Sequence, residues 1–173
     1  MPTATAAQTI GPFWHLLDDP KLADLTRFGA AGERVELVGR ITDGEGALVA
    51  DACVELWQAS PQADDRFPGW GRCASDAVGE FRFVTLRPGP VPGPGNSQQA
   101  PHLALTILAR GILTRLCTRA YFAGDPGLEA DPLLGAVADP ARRATLIAQP
   151  NGGGVWRLDI RLQGADETVF LDV

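Results

Sequence analysis

The chain has 173 residues, 45% of them hydrophobic and 21% charged, and a formal net charge of −6. That length suits one folded domain with a full core, and the composition excludes a disordered or fibrous chain. The charge balance excludes nucleic acid as a partner: Lys21 is the single lysine and no basic run exceeds the pair Arg142-Arg143, whereas phosphate neutralisation needs a concentrated basic face.

Residues 1–15 open the chain as an irregular arm in front of a single domain that spans 1–173. The opening MPTATAAQTI lacks the basic flank and apolar run of a secretory signal, and no later stretch approaches the roughly 20 apolar residues of a membrane span. A cytoplasmic protein without membrane contact is expected. Residues 20–28 form a short helix behind Asp19 as cap. The first strand follows at 33–42, where Val35, Leu37 and Ile41 alternate with Arg34, Glu36 and Arg40, and a turn at Asp43 to Gly46 closes it.

The same period-two reading gives strands at 52–58, 80–86, 102–109, 115–122, 155–162 and 167–172. A second helix is read at 139–148, with Asp139 as cap and Pro140 at the first helical position. Residues 58–72 and 87–101 are rich in Pro and Gly and read as long irregular loops. Many short strands with turn signals between them define a mostly β chain, an antiparallel β-sandwich with few short helices and long loops.

The side chains limit the chemistry. His15 and His102 are the two histidines and Tyr121 the one tyrosine. A zinc site needs about four Cys or His ligands at close spacing, and these two histidines lie far apart with no cysteine near either. Ser60, Ser75 and Ser97 stand in no GxSxG turn, and no histidine follows His102. Cys53, Cys73 and Cys117 lack CxxC spacing and read as buried free thiols. Trp57 and Trp156, at strand positions, read as core anchors. His102 reads as a satisfied histidine at a strand start, because position 104, which would complete a ligand pair, is alanine. Arg110 ends the strand before Gly111. It is either one half of a core-edge ion pair or a guanidinium able to clamp a carboxylate bidentately.

Several segments in order resemble a known family: ThrIleGlyProPheTrpHis at 9–15, LeuValGlyArgIleThrAspGlyGluGly at 37–46 and ValGluLeuTrpGlnAla at 54–59. AlaProHisLeuAlaLeuThrIleLeuAlaArgGly at 100–111, CysThrArgAlaTyrPheAlaGlyAsp at 117–125, ArgLeuAspIleArgLeuGlnGly at 157–164 and GluThrValPheLeuAspVal at 167–173 continue it. Together they resemble the intradiol ring-cleavage dioxygenase family, and within it the α chains of the protocatechuate 3,4-dioxygenases. The resemblance implies a β-sandwich chain that assembles with a β subunit. Non-haem Fe(III), held by two Tyr and two His, is then carried by the β partner, which cleaves protocatechuate with O₂. On that template this sequence has Val91 for one Tyr ligand, no tyrosine in 58–72 for the other, and His102 and Ala104 for the two His. One ligand of four remains, so the resemblance implies that this chain binds no metal and holds no catalytic residue of its own. It assigns substrate binding to Gly11 and Pro12 of the arm and to Arg110. The competing reading, from another class, is a non-enzymatic transthyretin-like β-sandwich binding module.

Overall fold

A computed structural model describes Ala6, residues 8–11 and residues 13–172 of the chain. Two turns of 3-10 helix, Trp14–Leu17 and Pro20–Ala23, lead into strand β1, Arg34–Thr42. Then come β2 (Cys53–Trp57), β3 (Trp70–Ala74), β4 (Glu80–Leu86), the short pair β5 (Val91–Pro92) and β6 (Gln98–Gln99), β7 (His102–Leu108) and β8 (Leu116–Phe122). Two five-residue helices, α1 (Pro132–Ala136) and α2 (Pro140–Ala144), precede β9 (Ile147–Pro150), β10 (Val155–Arg157) and β11 (Ile160–Arg161).

The strands join in the order β11-β1-β10-β9-β8-β7-β2-β3, with β4 on β1, so that one sheet curls over its own core. Alternation explains which side chains enter. On β7 Leu103, Leu105 and Ile107 are buried while His102, Ala104 and Thr106 face outward. Leu37, Ile41, Leu56, Phe81, Phe83 and Phe122 complete a single cluster, where burying one such side chain contributes about 1.5–3 kcal/mol.

The expected sandwich is present in its antiparallel ladders β1/β4, β2/β3, β2/β7 and β7/β8, but β1/β10, β1/β11 and β8/β9 pair in parallel. Alternation alone reports which side chains face inward; it carries no strand direction. The strand expected at 155–162 is interrupted at Leu158 and Asp159, although β10 and β11 lie beside β1 in one register. At the interruption the Leu158 carbonyl would lie 1.9 Å from a Cβ on Gly39, so only glycine admits this close approach. The expected helix at 139–148 is one turn, and its last residues form β9 instead. The helix at 20–28 is a single 3-10 turn, capped by Asp19 as expected. Residues 167–172 make an isolated bridge, Cys117 to Leu171, rather than a strand.

Candidate functional site

Strand β7 ends at Leu108, and Arg110 sits on the turn to β8 with Gly111 at φ +85°, a conformation that glycine adopts without steric cost. The N-terminal arm is tied to both sides of this arginine. The Thr9 hydroxyl donates to the Ala109 carbonyl at 3.1 Å and accepts from the Gly111 amide at 2.9 Å. Asp51, just before β2, completes the corner: its carboxylate holds Arg110 Nε at 2.9 Å, and its carbonyl accepts from Trp14 Nε1 at 3.0 Å. The Arg110 side chain is 61% exposed despite this ion pair. Occupation of Nε leaves the Nη1/Nη2 end of the fork as the edge that suits a second carboxylate. Gly11 is exposed, and beyond its chain neighbours no atom of the described residues lies within 4 Å of where a Cβ would be. Pro12 lies outside the described residues. The structure therefore brings Thr9, Trp14 and Asp51 to Arg110, and sequence reasoning had singled out neither Thr9 nor Asp51.

Exposed apolar side chains flank the corner in the chain. Phe13, Leu16 and Leu17 of the first helical turn are 70%, 71% and 84% exposed, and Leu113 on the Arg110 turn is 60% exposed.

The four positions at which the resemblance would set metal ligands do not fit a metal. Ala104 and Val91 offer no donor atom, and no tyrosine lies in 58–72. His102 keeps a ring nitrogen, but Nδ1 is committed to the Ala100 carbonyl at 2.8 Å, as expected of a satisfied strand-start histidine. Burial pushes its imidazole below the usual range; the bond to Ala100 opposes this, and the Arg119 charge adds to it. Among the described residues no three His, Cys, Asp or Glu gather in a metal-binding group.

Arg119 lies on β8, across the ladder from one of these positions. It pairs in register with Ala104, and its Nη1 donates to Gln99 Oε1 at 2.6 Å and to the Tyr121 hydroxyl at 3.0 Å. Tyr121 donates in turn to Asp131 Oδ1 at 3.1 Å. Burial pushes the Tyr121 phenol up to about 12, so it is a neutral donor. Asp131, 1% exposed, also accepts from the amides of Ala100, Leu133 and Leu134 and caps α1. Sequence reasoning missed this network. An Asp-Pro pair at 131–132, a helix-start signal, was the cue available for Asp131.

Three other expectations close here. Cys53 and Cys73 are buried free thiols, pushed up to about 11 and about 12 chiefly by burial. Cys117 is only half-buried. Trp156 packs edge-on against Phe122 at 5.0 Å, but Trp57 is 52% exposed, because its position on β2 points outward; the core reading of Trp57 is corrected.

The curled β sheet is shared with a known group. A dioxygenase domain from Streptomyces sp. SirexAA-E superposes with a TM-score of 0.66 at 24% identity, covering 95% of this chain and 98% of that one. Residues 18–164 match the model of the Dioxygenase family, and the chain belongs to the intradiol ring-cleaving dioxygenases of that family, which depend on non-haem Fe(III). Its branch is that of the α subunits. It is 38% identical to the protocatechuate 3,4-dioxygenase α chain of Burkholderia cepacia, over 98% of this chain and 97% of that one. Identity to the β chain of the B. cepacia enzyme is 31%, over 94% of this chain and 77% of that one. The existence of α and β relatives supports an α/β assembly. Among the described residues no helix is long and apolar enough to cross a membrane.

Proposed function

We propose that this chain, a single cytoplasmic domain over residues 1–173, is the metal-free α subunit of a protocatechuate 3,4-dioxygenase. Its β partner carries the non-haem Fe(III). Together they would cleave 3,4-dihydroxybenzoate with O₂ between its hydroxyl-bearing carbons, giving 3-carboxy-cis,cis-muconate. The iron, when bound on the partner, supplies Lewis acidity to the catecholate. This chain's contribution is binding and orientation from the far side of the ring.

The observation that carries the reading is the Arg110 corner. An arginine fixed through Nε by Asp51, with the arm tied on either side of it by Thr9, presents an oriented Nη1/Nη2 fork. A ring carboxylate is the planar anion such a fork takes bidentately. Gly11 and Pro12 follow Thr9 on the arm and would form the adjoining wall, Gly11 allowing close backbone approach and Pro12 fixing the path.

The test is Arg110→Ala in the assembled α/β complex, assayed with protocatechuate and with unsubstituted catechol. A charged hydrogen bond contributes about 1.5–3 kcal/mol, so kcat/KM for protocatechuate should fall about ten- to a hundredfold while catechol is little affected. Equal losses on both substrates would remove the carboxylate role.

A further inference from the structure

We propose that Ser75 is a positioning residue for the substrate carboxylate: from inside the fold it fixes the turn that carries Asp51, and through Asp51 it sets Arg110, a role that rests on the carboxylate reading given to Arg110 above.

Asp51 has φ +63°, a left-handed backbone that few non-glycine residues adopt, although aspartate does so more readily than most. The peptides on both sides of it are held. The Asp51 amide donates to the Ser75 carbonyl at 3.2 Å. The following peptide is held at both of its polar groups: the Ala52 amide donates to Ser75 Oγ at 2.9 Å, and the Asp51 carbonyl accepts from Trp14 Nε1 at 3.0 Å. The Ser75 hydroxyl donates in turn to the Val49 carbonyl at 2.8 Å, and the Ser75 amide donates to the Ala52 carbonyl at 2.8 Å. Ser75, just past the end of β3 and 4% exposed, makes all of these bonds except that of Trp14.

Peptide units are planar, so fixing the planes on both sides of Asp51 fixes its φ and ψ and with them the direction in which its side chain leaves the backbone. That direction brings Oδ2 to 2.9 Å from Arg110 Nε. The aim matters because the Arg110 side chain is 61% exposed, and a long exposed side chain loses rotamer freedom on binding a carboxylate unless it is held beforehand. The Ser75 hydroxyl is a bridge rather than a nucleophile. It closes the turn from Val49 to Ala52 by donating to one end and accepting from the other, so its removal leaves the Ala52 amide without this acceptor and the Val49 carbonyl without this donor.

A mutant cycle in the assembled α/β complex tests it, read as the ratio of kcat/KM for protocatechuate to kcat/KM for catechol. A general loss of folded enzyme lowers both substrates alike and leaves this ratio where it was. Ser75→Ala should lower the ratio by about two- to tenfold, the range of a neutral hydrogen bond, through a higher KM for protocatechuate with kcat changed by less than about twofold. In an Asp51→Ala or Arg110→Ala background the same substitution should leave the ratio unchanged, because the route through which Ser75 acts is already cut. Ser75→Cys keeps a side chain of similar size with weaker bonds, should lower the ratio in the same direction, and decides the matter if Ser75→Ala does not assemble. A selective loss for Arg110→Ala beside an unchanged ratio for the Ser75 variants would overturn the role of Ser75 alone, as would an equal drop with and without Asp51. Equal losses on both substrates for Arg110→Ala would instead remove the Arg110 reading, and the role of Ser75 with it.

Discussion

Arg110 and Arg119 lie nine residues apart on either side of one turn, and their surroundings differ in kind. Arg110 is tied by one carboxylate at the protein's rim. Arg119 is anchored at one end to an interior chain of hydrogen bonds that runs through Tyr121 to the buried Asp131. The first arrangement orients a cation toward something outside the chain. The second anchors a cation across the ladder from Ala104, and the same network caps a helix. The contrast teaches that two arginines of one hairpin are held by different means: one by a single carboxylate at the rim, the other by cross-strand pairing with Ala104 and a buried network.

The largest effect expected from breaking this contrast is on the interior side. Asp131→Ala strands three backbone amides and the Tyr121 hydroxyl, and removes the cap of α1. Unsatisfied buried donors cost about 1–3 kcal/mol each, so urea unfolding should show a loss of about 3 kcal/mol or more. A loss below about 1 kcal/mol would mean that the network is incidental.

At the rim, changes should act on substrate use rather than stability. Arg110→Lys keeps the charge and loses the fork, so kcat/KM for protocatechuate in the complex should fall by about three- to tenfold, less than for Arg110→Ala. Asp51→Asn separates orientation from charge: the amide oxygen still accepts from Nε while the competing anion is gone, so KM should fall about two- to fivefold, the range of a partly exposed ion pair. Asp51→Ala, which loses the orienting acceptor as well, should raise KM. Equal KM for the two variants would show that Asp51 does not position Arg110.

The smallest effect is a pH dependence. Burial, the first cause, holds the His102 imidazole below its usual value of 6.5. The unfolded chain therefore takes up the proton first, and the stability contributed by neutral His102 is complete above about pH 6.5 and is lost as pH falls through the folded-state pKa. His102→Gln should flatten the acid limb of a stability–pH curve, and an unchanged limb would assign that dependence elsewhere.

Much of this was legible in the sequence where the physics is local. The alternation at 33–42 named Val35, Leu37 and Ile41, all buried, and Arg110 was visible as a cation before a glycine turn. What escaped depended on distant pairing. β3 lay within a stretch whose prolines and glycines suggested only loop, and its ladder comes from β2. β9 followed a strong Asp139-Pro140 helix start, and its strand identity comes from β8 and β10. Thr9 reaches Ala109 across 100 residues, and nothing near Asp51 in sequence announces Arg110 as its partner. The missing ligands at positions 91 and 104 could be read by comparison with the family, but the pairing of Arg119 with Ala104 needed the register.

The most direct measurement purifies this chain alone and together with its β partner, and determines iron content and O₂ uptake with protocatechuate for each. The account predicts iron and O₂ uptake in the complex and neither in the isolated chain. Stoichiometric iron in this chain alone, or no gain in activity on assembly, would contradict it.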